Sequence, residues 1–81
     1  MTREEIAQTV DRLLADEFEI DQSLITPDAP LKETLGLDSL DLVDIVVLIN
    51  QHFGITLKGP DFVGIATFDD FYRLLDTRLH G

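Results

Sequence analysis

With 81 residues, 16 acidic and 6 basic side chains and a formal net charge of −10, the chain lacks the basic face that nucleic acid or an anionic lipid surface needs, and those partners are excluded. A hydrophobic share of 44% excludes a disordered acidic tail. A chain of this size buries only ~60–65% of its unfolded surface, enough for one domain over residues 1–81 and no separate catalytic domain. Cysteine is absent, so there is neither a disulfide frame nor an intrinsic thiol nucleophile, and any thiol chemistry has to come from an attached group.

The chain opens on Thr2-Arg3-Glu4-Glu5, a capping box with Thr at the cap and Glu three residues later. Ile6, Val10, Leu13 and Leu14 follow at i, i+4, i+7 and i+8, the stripe of an amphipathic helix that ends between Ala15 and Phe18. Met1 to Glu5 does not read as a signal peptide, and no apolar run reaches the ~18 residues that span a membrane, so a cytoplasmic protein is expected. From Glu19 to Leu37 comes a long connection with Pro27 and Pro30, in which acids alternate with Leu24, Ile25, Leu31 and Leu35. Connections of that length are functional or ordered by their own packing, and Leu31 to Leu35 can form one helical turn.

Ser39 to Phe53 carries neither Gly nor Pro, and Gly54 follows as a helix stop. Asp38 is a good N-cap, with Asp41 three residues on, so the Ser39 hydroxyl is expected at an exposed helix N-terminus. Free N–H groups and the helix dipole favour a phosphate there. At 100° per residue, Leu42, Ile45, Val46, Ile49 and Phe53 share one face, the core side. Leu40, Val43, Asp44, Val47 and Gln51 share the opposite one. Full burial of both is hard to arrange in so small a domain, and the second stripe reads as an apolar partner surface flanked by acids.

Lys58-Gly59-Pro60-Asp61 is a turn able to start a short helix holding Phe62 and Val63 and ending at Gly64. Thr67 and Asp70 then cap a last helix with the stripe Phe68, Phe71, Tyr72, Leu75 and Leu79. The expected fold is all-α: a small up-down bundle of three main helices plus one short helix, with a long loop between the first two.

The words Leu35-Gly36-Leu37-Asp38-Ser39-Leu40 resemble the modification motif of the acyl carrier proteins, in which the Ser receives 4′-phosphopantetheine. Helix spacing on both sides also fits, so the resemblance covers nearly the whole chain. It implies a monomeric carrier without catalytic activity, modified at Ser39 by a phosphopantetheinyl transferase that takes the arm from coenzyme A. The arm would present thioesters to acyl-transferring and acyl-modifying enzymes with basic docking surfaces. Asp38, Leu40, Asp41, Val43, Asp44 and Val47 would recognise these partners. Val46, Ile49, Leu57, Phe62, Ile65 and Phe71 stand where related carriers line an acyl pocket, and core packing explains the same six residues equally well.

Other chemistries fit less well. A Ser hydrolase needs a base within reach, but His52 lies 13 residues along the same predicted helix, about 20 Å away. His80 is penultimate, and no nucleophile elbow surrounds Ser39. Asp38, Asp41 and Asp44 lack the order of a calcium loop, so no metal site is expected. A purely acidic adaptor without a covalent group remains the alternative, but it leaves the Ser39 motif unexplained. One departure from the family pattern bears on pathway. Carriers of general fatty acid synthesis are acidic along the later half of this helix, whereas here no acid stands between Asp44 and Asp61, and 12 of the 16 acids lie at or before Asp44. Asn50, Gln51 and His52 occupy that stretch, which favours a specialised lipid or polyketide-type pathway.

Overall fold

Residues 2–80 are described by a computed structural model, beginning with a reciprocal cap. Thr2 Oγ1 accepts the Glu5 amide at 3.2 Å while the Glu5 carboxylate accepts the Thr2 amide at 3.1 Å, so two first-turn donors are satisfied. The helix that follows, α1, spans Arg3–Phe18. It stops where Glu19 turns left-handed at φ 55°, which lets the Glu19 and Ile20 amides both donate to Ala15 O. Ile6, Val10 and Leu14 are fully buried along it, and Leu13 flanks them half-buried.

The long connection is ordered by its own packing. A 3₁₀ turn at Gln22–Leu24 is capped by Asp21, and Ile25, Leu31 and Leu35 are buried. Leu31–Leu35 forms a short helix, α2, closed by Gly36 in the left-handed region at φ 64°, a conformation that a side chain would strain. The central helix, α3, is Ser39–Phe53, and Gly54 ends it at φ 70° with its amide on Asn50 O. Ile45 and Ile49 are buried, while Leu42, Val46 and Phe53 are half-buried at the edges of the same face.

The short helix expected after Pro60 is instead a 3₁₀ turn, Gly59–Phe62, and the bundle's short α-helix is α2. Glycines at 59 and 64 leave too few residues between them to close an α-helical turn. Phe62 still faces inward, but Val63 stands 86% exposed. The last helix, α4, is Phe68–His80, preceded by a capping box in which Thr67 Oγ1 accepts the Asp70 amide and Asp70 accepts the Thr67 amide. Its two first amides, on Phe68 and Asp69, donate to Ala29 O and Pro27 O of the long connection, and Leu31 donates back to Ala66 O. Every N–H of that first turn therefore has a partner. Among the described residues there is no strand, only an isolated bridge between Pro30 and Thr67.

The core is a seam between α1 and α4, where Ile6, Val10 and Leu14 join Phe68, Phe71, Tyr72 and Leu75. Tyr72 donates its hydroxyl to Asp11 on α1. Burial and the neighbouring carboxylate push the phenol far up, so it stays the proton donor. Burial also raises Asp11, partly offset by that hydrogen bond.

Two outcomes follow for stability. Asp38 caps α3, so Asp38→Ala should lose ~1 kcal/mol in urea unfolding and Asp38→Asn, which caps equally well, only a fraction of that. Asp11 binds its proton more tightly folded than unfolded, so its favourable contribution is present below the ordinary carboxylate range and is lost as pH rises through the raised value. Asp11→Asn still accepts from Tyr72 and should melt at or above the parent temperature at pH 7. That advantage should shrink on titration toward pH ~4; an advantage that grows in acid would contradict the assignment.

Candidate functional site

Ser39 is the first residue of α3 and is exposed. Its position is set by the residues on either side. Asp38 Oδ1 accepts the Leu40 amide at 2.9 Å and the Asp41 amide at 3.0 Å, and Asp41 Oδ2 accepts the Asp38 amide at 3.1 Å. The sequence makes this cap possible because Gly36 ends α2 two residues earlier and lets the chain reverse into an extended Asp38. The hydroxyl thus sits on the rigid first turn of a helix of 15 residues, on the dipole's positive end.

The outer face of α3 is as the helical spacing predicts. Leu40, Val43 and Val47 are 75%, 59% and 49% exposed, and Asp44 and Gln51 are exposed beside them. Asp38 and Asp41 each spend one carboxylate oxygen on the cap and leave the other outside it. Among the described residues, none of Asp38, Asp41 and Asp44 pairs with a basic side chain. The acids after Asp44 are all paired: Asp61 with Arg78, Asp69 and Asp70 with Arg73, Asp76 with Arg3 and with His80. Among the described residues, acidic side chains without a cationic partner therefore all lie between Glu4 and Asp44. That pairing pattern was not legible in the sequence, since Arg3–Asp76 and Arg78–Asp61 join residues far apart in it. The Tyr72–Asp11 bond had a signal: a Tyr inside an apolar stripe needs a partner for its hydroxyl.

The six pocket candidates come together but do not enclose a space. Ile49, Leu57, Phe62 and Phe71 are buried, Val46 and Ile65 half-buried, and the Phe62 and Phe71 rings stack with centroids 6.0 Å apart. No cavity opens among the described residues. His52 lies in the last turn of α3, at the opposite end from Ser39. Among the described residues no group of three or more His, Cys, Asp or Glu is placed to hold a metal ion, and no helix is long and apolar enough to cross a membrane.

Comparison with known proteins agrees with this geometry. A family model described as the phosphopantetheine attachment site matches residues 8–75. The chain is 35% identical to an acyl carrier protein of Thermotoga maritima over 96% of both chains, and 36% identical to one of Rubrobacter xylanophilus over 86% of both. An acyl carrier protein of Saccharopolyspora erythraea is 37% identical over 83% of this chain and 70% of its own. The capped α3 with its exposed Ser39, the all-helical bundle and these matches over most of the length have one reading: the chain belongs to the acyl carrier proteins, carriers rather than catalysts, whose domain holds the attachment site for phosphopantetheine.

Proposed function

We propose that Ser39 is the attachment residue and that the carrier serves a dedicated lipid or polyketide-type pathway rather than general fatty acid synthesis. The observation that carries the first half is the exposed hydroxyl at the capped start of α3, with free carboxylate oxygens and an apolar strip beside it. In the attachment step the Ser39 oxygen forms a bond to the pantetheine-side phosphorus of coenzyme A. The pyrophosphate P–O bond breaks, 3′,5′-ADP leaves, and the hydroxyl proton passes to a base. That base belongs to the phosphopantetheinyl transferase, because His52 stands at the far end of the helix. The chain's own contributions are a fixed hydroxyl and a helix N-terminus that favours the resulting phosphodiester. The arm, once attached, supplies the thiol on which acyl groups ride as thioesters.

The second half rests on charge. Asp38, Asp41 and Asp44 steer basic surfaces to the Ser39 end, where Leu40 and Val43 add apolar contact. The other end shows Val47, Asn50 and Gln51, exposed and uncharged. An enzyme built for a uniformly acidic helix would set Arg or Lys against neutral groups there. Leaving a polar group desolvated and unpaired in this way costs ~1–3 kcal/mol.

Incubation with coenzyme A, Mg²⁺ and a broad-range transferase should add one phosphopantetheinyl group by intact mass, and Ser39→Ala should fold and add none. Addition to the Ala variant, at Ser23 for instance, would defeat the assignment. For the pathway, acyl transfer from a malonyl transferase of general fatty acid synthesis to the holo form should be weak. Exchanging Asn50 and Gln51 for Glu should improve it and leave modification of Ser39 unchanged. Transfer to the unaltered carrier as fast as to a housekeeping carrier would refute the dedicated role.

A further inference from the structure

We propose that Arg78 determines which cargo this carrier suits: it clasps the segment between α3 and α4 over the core and so keeps acyl groups outside the bundle, fitting the protein to short or polar ones. The proposal rests on Ser39 as the anchor. From the last turn of α4 the guanidinium reaches two points on that segment, pairing through Nη2 with Asp61 Oδ1 and donating through Nη1 to Thr56 O at 3.3 Å. The other oxygen of Asp61 accepts the Lys58 amide at 2.8 Å, so one carboxylate joins the clasp to the 3₁₀ turn itself. The guanidinium side chain is 38% exposed and that of Asp61 18%, which leaves the pair half-sheltered rather than fully solvated.

Beneath the clasp lie Ile55, Leu57 and Phe62, all buried, with Phe62 stacked on Phe71 of α4. Toward α4 the segment is tied down at Ala66, whose amide donates to Asp70 and whose carbonyl accepts from Leu31. Between Ile55 and Ile65, apart from those buried side chains, the 3₁₀ turn is too short to persist alone, and the one further side-chain hydrogen bond to a helix is long, Asn50 Nδ2 to Ile55 O at 3.4 Å. The α1–α4 seam, by contrast, is fixed by fully buried side chains along both helices, by Tyr72–Asp11 and by Arg3–Asp76. Of the parts covering the core, the segment therefore opens at least loss. An apolar chain tethered at Ser39 gains from entering only by parting Phe62 from Phe71, because the interior is already filled. A small acyl group recovers too little apolar area to drive that, and the clasp raises the threshold for a long one.

The test compares the parent, Arg78→Ala, Asp61→Asn (which still accepts the Lys58 amide) and the double variant. Amide hydrogen exchange on the unmodified proteins reads the clasp directly. Exchange at Asp61, Val63 and Ile65 should rise about fivefold in each single variant, the scale expected for a half-exposed charged pair, with no further rise in the double variant. Amides of α1 at Val10 and Leu14 should not change. Each protein is then loaded with acetyl- or octanoyl-phosphopantetheine, and thioester cleavage by hydroxylamine is followed. The parent should release octanoyl nearly as fast as acetyl, whereas the variants should protect octanoyl severalfold and acetyl not at all. Unchanged exchange at all three amides would overturn the clasp. Faster exchange with unprotected octanoyl, or a parent that already protects it, would overturn its role in cargo choice. A parent that accepts no arm would refute Ser39 as anchor and the cargo role with it, while exchange would still decide the clasp.

Discussion

The burial of one face of α4 against α1 is the constraint on which the rest depends. Phe68, Phe71, Tyr72 and Leu75 leave water together with Ile6, Val10 and Leu14, each such side chain worth ~1.5–3 kcal/mol when fully buried. Against that, an exposed ion pair such as Arg73–Asp69 contributes at most ~1 kcal/mol at a surface site. The seam sets the frame, and exposed pairs of that kind add little to it. Because these two helices supply seven of the fifteen buried core residues, and α2 with the connecting segments six more, α3 closes the core with a single row centred on Ile45 and Ile49. Its opposite row, Leu40, Val43 and Val47, is left exposed, so a helix apolar on two sides is buried on one only.

The same division separates charge from packing. The acids that sit on or near the seam and α4 are bound up internally, Asp11 by Tyr72 and Asp61, Asp69, Asp70 and Asp76 by cations. Hydrogen bonds from backbone amides hold Asp61 and Asp70 below their usual range, and the His80 bond does so for Asp76, so these groups stay ionised. Among the described residues, the acids without a cation run from Glu4 to Asp44, and Asp38, Asp41 and Asp44 among them surround Ser39. Along α3 the exposed acids thus stand at the Ser39 end, beside Leu40 and Val43, while Val47, Asn50 and Gln51 at the other end are exposed without an acid among them.

Much of this was legible in the residues. The capping boxes at Thr2, Asp38 and Thr67 and the stop at Gly54 are local signals, and all stand where the sequence places them. The two faces of α3 follow from helical spacing alone. The segment after Pro60 was less readable, because its conformation depends on Phe62 finding Phe71 and on Arg78 reaching Asp61, contacts that no local pattern encodes. The six pocket candidates show the other limit. Apolar spacing identifies who faces inward, but whether such residues touch or leave room between them is decided by the packing of three helices at once.

The carbonyls of Pro27 and Ala29 complete the first turn of α4, and Leu31 donates back to Ala66. In a bundle whose other backbone bonds are nearly all local, this strap joins parts of the chain made far apart in time. On the ribosome, α1 and α3 can form as each emerges, but the loop that leads into Ser39 has no fixed course until residue 69 has been synthesised and released. In a nascent chain the approach to Ser39 is therefore frayed, and only the finished protein orders it, through three main-chain hydrogen bonds.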